Sequence, residues 1–379
     1  MLQVLPALVT GGVERGTVDT AKALVRAGWK AYVASAGGPM VRELERAGAV
    51  HVTLPMASKN PLQIWRNVEK LEELIRTLPV DLVHVRSRAP AWSARAAARR
   101  CHVPFVTTFH NAYKAHNWFK RFWAGPMARA DHVVAISNFV AEHAHRRFGV
   151  PESLITVIPR GTDLNWFDPS RVYPDRIAKL AKEWRLVDGL PVILLPGRLT
   201  RWKGHAVLLR ALDILARRRG RQDFTAVLLG DNQGRNAYQA ELEELIARYD
   251  LKTSVRLPGG AKDMPAAYML ADVVVSASIE PEGFGRIAVE AQAMGKPVIA
   301  TDHGGARETV LPGDTGWLVP PGDAEKLAEA LEAALALTPQ RRLQIAALAR
   351  AHVQRRFTVD GMTDGYLKVY TDLLFPQRG

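Results

Sequence analysis

Cysteine is nearly absent: Cys101 is the one thiol among 379 residues. That excludes an internal disulfide framework and a cysteine-rich metal site, and it makes a reducing compartment the default expectation. The chain also lacks any run approaching the roughly 20 apolar residues of a membrane span. Its apolar start, residues 1–9, has no basic leader and soon meets Gly11, Gly12 and Glu14, so a first strand is expected there, not a signal peptide. Three signatures are missing as well. There is no His-Glu-x-x-His or comparable ligand array, so no metal and no other tightly bound cofactor is expected. There is no Gly-x-x-x-x-Gly-Lys-Ser/Thr loop, which removes support for ATP hydrolysis. Thr10-Gly11-Gly12-Val13-Glu14-Arg15-Gly16 does not make the Gly-x-Gly-x-x-Gly fingerprint of nicotinamide binding.

Acidic residues are missing from one long stretch. Between Leu82 and Ala130 stand nine Arg or Lys residues and no Asp or Glu, within a chain of formal net charge +13. Such a balance favours an anionic partner. Inside that stretch, residues 113–123 interleave Tyr113, Trp118, Phe119, Phe122 and Trp123 with Lys114, Lys120 and Arg121. This pattern suits peripheral contact with an anionic membrane or a lipid-linked acceptor, and equally an ordinary domain wall whose rings are core. A recognisable nucleic-acid-binding motif is not present, so nucleic acid is not the expected partner.

What is present is regular. A 47% hydrophobic chain is ample for buried cores, and its length suits two domains of roughly 150 to 190 residues. Short apolar runs alternate with helix-length segments, the pattern of parallel α/β layers. Strands are expected near residues 2–8, 30–35, 51–54, 82–85, 105–108 and 132–136, then 191–196, 225–229, 255–257, 273–276 and 297–300. Helices are expected over 18–27, 62–78 and 139–148, and an amphipathic one over 361–374. The organisation read from this is an N-terminal domain (1–165), a linker region (166–190), a second domain (191–355) and a C-terminal helix and tail (356–379).

The richest segment is Glu282-Gly283-Phe284-Gly285-Arg286-Ile287-Ala288-Val289-Glu290. It follows the apolar strand at 273–276, where open α/β sheets place ligands. Gly283 and Gly285 permit close backbone approach, and a helix start there directs N–H groups toward phosphate. Glu282 would accept hydrogen bonds from a sugar, and Glu290 from ribose hydroxyls. A glycosidase-like carboxylate pair fits poorly, because eight helical residues span about 12 Å, beyond the roughly 5 to 9.5 Å such chemistry uses. A capped helix with Glu290 paired on its surface is the plain alternative. In Gly197-Arg198-Leu199-Thr200-Arg201-Trp202-Lys203-Gly204, Arg198 offers a fork and Lys203 a compact cation for a leaving phosphate, while Arg201 can equally point outward. Gly12 would let backbone approach a phosphate, or simply make a tight turn. His110, after the strand at 105–108, would orient a sugar hydroxyl or exchange a proton. Loop geometry suffices for His303-Gly304-Gly305.

Together these motifs, with Gly295-x-Pro297-Val298-Ile299-Ala300, resemble those of the retaining glycosyltransferases called family 4 or group 1, along essentially the whole chain. Leu257-Pro258-Gly259 departs from that family's usual aromatic or leucine followed directly by glycine. The resemblance implies the GT-B fold, two Rossmann-like domains with parallel sheets facing a cleft, with the final helix crossing back to the first domain. It implies metal-independent transfer of a hexosyl unit from a UDP- or GDP-sugar with retention. His110, Arg198, Lys203 and Glu282 would serve the reaction, and Gly12, Gly283, Phe284, Gly285 and Glu290 would hold the donor. A lipid-linked or saccharide acceptor in cell-envelope glycan synthesis (lipopolysaccharide or capsule) is the leading expectation, with the protein cytoplasmic or at the cytoplasmic face of the inner membrane. A soluble small acceptor, or a noncatalytic nucleotide- or glycan-binding module, is the alternative.

Overall fold

The computed structural model describes residues 1–9, 11–113, 118–234 and 236–376; the side chains of 118–121 are also outside the description. The chain divides into two compact units, Met1–Gly161 with Val359–Gly379, and Thr162–Thr358.

In the first unit, strands β1 (Leu2–Val4), β2 (Tyr32–Ser35), β3 (Val50–Thr53), β4 (Val83–Val85), β5 (Phe105–Phe109), β6 (His132–Ala135) and β7 (Ile155–Val157) alternate with helices α1 (Gly12–Arg26), α2 (Val41–Arg46), α3 (Pro61–Thr77), α4 (Arg88–Arg100), α5 (Trp118–Ala128) and α6 (Asn138–Phe148). All strands are parallel, in the order β3-β2-β1-β4-β5-β6-β7. The central strands are covered on both faces, so β1, β4 and β5 are continuously buried, whereas the edge strand β3 is partly exposed. Local chemistry sets the helix ends. The Asn60 side chain accepts from the Leu62 amide beside Pro61 at the start of α3, Ser137 caps α6 through the Val140 amide, and left-handed Gly149 ends it.

The second unit runs α7 (Pro174–Glu183), β8 (Val192–Pro196), α8 (His205–Arg219), β9 (Thr225–Leu229), α9 (Asn236–Arg248), β10 (Val255–Gly259), α10 (Met264–Leu270), β11 (Val273–Ser276), α11 (Arg286–Ala293), β12 (Val298–Thr301), α12 (Ala306–Thr309), β13 (Gly316–Val319), α13 (Ala324–Leu335) and α14 (Pro339–Arg356). Its six parallel strands are ordered β10-β9-β8-β11-β12-β13. Two apolar layers sandwich this sheet. Leu208, Leu212 and Leu331 lie in one and Tyr268, Ala288 and Met294 in the other. Within residues 166–190, Phe167, Val172, Leu180 and Trp184 join the second of these layers.

The chain then returns to the first unit as α15 (Val359–Leu374), whose Met362, Tyr366, Val369 and Tyr370 fill that unit's core beside Leu5, Val18 and Ile158.

Strand order reverses between β1 and β4 in the first sheet and between β8 and β11 in the second. Such switch points open a crevice at the carboxyl ends of the strands. Gly12 and His110 follow β1 and β5; Arg198, Lys203 and Glu282 follow β8 and β11.

Candidate functional site

In the second unit, the chain leaves β8 through Gly197 and Arg198, makes a short turn over Arg201–Lys203, and enters α8 after Gly204 in the left-handed region at φ +74°. A side chain on Gly204 would run into the Ala277 carbonyl, so the turn is held tightly against the end of β11. This places Lys203 inward. Its Nζ lies 2.7 Å from Glu282 Oε1 and 4.5 Å from the Trp202 ring centroid. The sequence offers Lys203 and Glu282 as separate candidates, and the fold joins them as an ion pair mostly removed from solvent, at 11% and 19% side-chain exposure.

Ser278, which carries no signal in the sequence, completes this cluster. Its hydroxyl donates to the same Glu282 oxygen at 2.5 Å. Its carbonyl accepts from Thr301 Oγ1 and His303 Nε2, each at 2.8 Å. The His303-Gly304-Gly305 turn also has a sharper role than loop geometry. Gly305 donates its amide to the Glu282 carbonyl at 2.9 Å. A Cβ on Gly304 would meet that carbonyl, and one on Gly305 would meet the Phe284 backbone. The turn therefore packs directly on the backbone of the loop that carries Glu282.

Gly285, left-handed at φ +90°, precedes α11. Phe284 is buried against Phe357, ring centroids 5.4 Å apart, so its side chain anchors the loop to the core. Glu290 is 7% exposed; its carboxylate accepts from Tyr268 Oη at 2.9 Å and from the Arg286 guanidinium at 2.6 Å. Burial, then the adjacent Glu290, pushes the Tyr268 hydroxyl well above its ordinary pKa, so it remains a donor. The two carboxylates thus have separate partners and do not pair with each other. Arg198 is exposed, with a 3.5 Å contact to Gln233 Oε1. Arg201 points outward to Glu241 and lies over the Tyr238 ring at 5.1 Å.

In the first unit, Gly12 begins α1 and faces the Arg160 guanidinium, whose atoms lie 2.6 to 2.9 Å from where a Cβ would stand. Thr10 of the same motif is outside the described residues. Both ring nitrogens of His110 are buried and have no hydrogen-bond partner among the described residues. Burial first, then the charges of Arg160 and Arg86, holds the His110 pKa well below the ordinary histidine value, leaving the ring neutral. On the neighbouring strand β4, His84 has its two nitrogens bonded by Thr108 and Tyr370, at 2.7 and 2.6 Å.

Of the basic aromatic stretch, residues 114–117 and the side chains of 118–121 lie outside the described residues. Tyr113 packs inward, 5.2 Å from Phe109 and beneath Arg88 at 4.4 Å. Phe122 is 55% exposed, 4.9 Å from Trp92. Among the described residues no helix is long and apolar enough to cross a membrane, and no group of three or more His, Cys, Asp or Glu residues is placed to hold a metal ion.

Residues 10–166 match the model of Glycosyltransferase Family 4, and residues 177–351 that of Glycosyl transferases group 1. A D-inositol 3-phosphate glycosyltransferase of Xylanimonas cellulosilytica is 35% identical over 308 residues, covering 76% of this chain and 71% of that protein. The chain belongs to the family 4, group 1 glycosyltransferases. A glycosyltransferase from Rickettsia africae has a solved structure 39% identical to the chain, with a TM-score of 0.90 over 99% of this chain and 98% of that one. HepE from Anabaena, solved in complex with UDP-glucose, is 27% identical, with a TM-score of 0.83 over 98% and 99%. This family member is accordingly a nucleotide-sugar-dependent glycosyltransferase of the GT-B fold, built from two Rossmann-like units with parallel sheets.

Proposed function

We propose that the enzyme transfers a hexosyl unit from a UDP-sugar to a hydroxyl of a small soluble acceptor, retaining anomeric configuration. The observation that carries the donor side is the Lys203–Glu282–Ser278 cluster at the carboxyl ends of β8 and β11. Lysine has three N–H donors, and the Glu282 contact uses one, leaving others for diphosphate oxygens. Arg198, on the same β8 turn, adds a fork. Charge that grows on the leaving diphosphate is stabilised most in the transition state, where such cations accelerate the reaction.

Glu282, oriented by Ser278 and by the backbone of the 303–305 turn, accepts from hydroxyls of the transferred sugar. The glycine-flanked start of α11 presents amides, with Gly283 and Gly285 giving access, and Glu290, steadied by Tyr268, takes the ribose. Gly12 lies toward phosphate. A neutral His110 exchanges hydrogen bonds with the sugar without adding a cation beside the reacting carbon. Same-face attack, with a donor phosphate oxygen receiving the acceptor proton, needs no carboxylate nucleophile.

For the acceptor, the support lies in the relatives. Three, from different bacteria and 28 to 35% identical, act by name on D-inositol 3-phosphate. HepE supports UDP as the carrier. These comparisons favour a small acceptor over the lipid-linked, cell-envelope one, which rests mainly on the family resemblance, with support from a basic aromatic stretch largely outside the described residues. Product mass spectrometry tests the reading: UDP- and GDP-linked hexoses are each paired with inositol phosphates, free sugars and lipid-linked saccharides. The expected product joins a UDP-derived hexose to a soluble acceptor. Turnover confined to lipid-linked acceptors would overturn it.

A further inference from the structure

A buried histidine that no sequence motif marks is packed against the loop of the second unit that carries Arg198 and Lys203. His205 opens α8 and is 0% exposed. Its ring meets that of Tyr238 edge-on, centroids 6.0 Å apart, and faces the backbone carbonyls of Gly197 and Thr200. Yet neither ring nitrogen makes a hydrogen bond of good geometry among the described residues. Burial is the chief reason its pKa is lowered to about 4; the two carbonyls oppose that shift and the Lys203 charge adds to it. Near neutral pH the ring therefore holds one N–H and one lone pair.

The loop is fixed at its two ends. The Gly197 amide donates to the Leu229 carbonyl at 2.8 Å and the Leu199 amide to the Asp231 carbonyl at 3.1 Å, and Gly230 has no room for a Cβ because the Gly197 carbonyl stands there. At the other end Gly204 is held against the Ala277 carbonyl. Between these anchors the two carbonyls that His205 faces belong to the backbone of the two cations. The Gly197 carbonyl is in the peptide link to Arg198, and the Thr200 carbonyl accepts the Lys203 amide at 3.0 Å. Behind His205 stands a support: Tyr238 is buried, and Arg201, paired with Glu241, lies over its ring at 5.1 Å.

A buried N–H that faces two acceptors without bonding either is unfavourable, and a small shift of the loop is enough to relieve it. An anion drawn to Arg198 and Lys203 supplies the pull for such a shift. Resting on the diphosphate role given above to those two cations, we infer that His205 is a positioning residue for the donor: its N–H takes a loop carbonyl when the diphosphate is bound, which sets Arg198 and Lys203 where the phosphate oxygens meet them. The effect belongs to the diphosphate, since the ring touches neither Glu282 nor Glu290.

The test compares wild type, His205→Phe, His205→Asn and Lys203→Ala in the full-length protein, with folding checked by circular dichroism. Phe keeps a ring against Tyr238 and loses the N–H; Asn loses the ring and keeps an N–H donor. UDP and GDP are titrated by calorimetry, the tighter of the two is carried through the series, and its nucleoside is measured by ligand-observed NMR. His205→Phe should weaken the diphosphate about tenfold, the scale of one hydrogen bond, with most of that recovered in His205→Asn and with nucleoside affinity unchanged in both. A merely structural role would instead spare Phe, or weaken nucleoside and diphosphate together. Either result in folded protein would overturn the inference. Lys203→Ala separates it from the reading beneath it: diphosphate affinity unchanged in Lys203→Ala would sink the donor-cation role and the inference with it. Loss in Lys203→Ala beside a His205→Phe equal to wild type would sink the inference alone. Binding of neither diphosphate by wild type would overturn both.

Discussion

At the residue scale, the arrangement around Glu282 makes a distinction between charge and shape. Lys203 both neutralises Glu282 and faces the position assigned to the leaving group. Lys203→Ala is therefore expected to lower kcat by about 10² to 10³, the range for losing one preorganised electrostatic contact in a water-poor site. Ser278→Ala should keep the cation and loosen only the carboxylate, so its loss should be smaller. Steady-state kinetics on the two variants checks this; equal defects, or none, would contradict the assigned roles. Lys203, Glu282 and Glu290 stand out in the sequence as candidates because each sits at a set distance from glycines. Ser278 does not, since a serine after a strand has no spacing signature. Its role arises from a 2.5 Å contact that depends on how the following loop folds back. Arg86 was likewise counted only as one charge among nine. That it lies buried beside α1 is a consequence of sheet order, which pairs β1 with β4 across about 80 residues of sequence.

At the element scale, buried parallel strands announced themselves as apolar runs, and all but one of the expected strands begin within one residue of the observed starts. Two strands escaped. The β7 segment, Ile155–Val157, is three half-buried residues lying close before Pro159 and Gly161, so its surroundings read as a domain edge. Gly-Trp-Leu-Val at β13 begins with a glycine, a weak strand former, whose missing side chain is required because a Cβ would strike the Val298 carbonyl. The α1 helix begins at Gly12, six residues before its expected start, because Gly12, Gly16 and Thr17 are poor helix formers and tertiary packing holds them. The helix α15 carries a prediction of its own. Tyr370 joins it to β4 through the 2.6 Å bond to His84, in a buried site where an abandoned partner cannot turn to water. Tyr370→Phe should lower stability by about 1 to 3 kcal/mol, measured by denaturant unfolding, with little change in ring packing against Trp29. An unchanged midpoint would show that bond to be dispensable.

At the scale of the whole molecule, buried histidines make stability depend on pH. Burial is the chief reason that His205 is lowered to about 4 and that His84 and His110 are held well below the ordinary value. An unfolded histidine takes its proton near pH 6.5. Between that value and the lower folded pKa, the unfolded chain binds more protons, so stability falls as pH drops, by up to about 1.4 kcal/mol per pH unit for each such group. Thermal midpoints should therefore be lower at pH 5 than at pH 7, with the His205 contribution levelling below about pH 4. Glu43, held at about 2 mainly by its hydrogen bond from Arg15, acts in a more acid range, so it does not blur the comparison. Equal midpoints at pH 5 and 7 would contradict this account. The path of the chain has one more consequence. The first unit is left at Gly161 and rejoined at Val359, so a ribosome must finish the entire second unit before Tyr366 and Tyr370 exist to fill the first. The amino-terminal sheet is made first and completed last; during synthesis its open core is the surface a chaperone would meet.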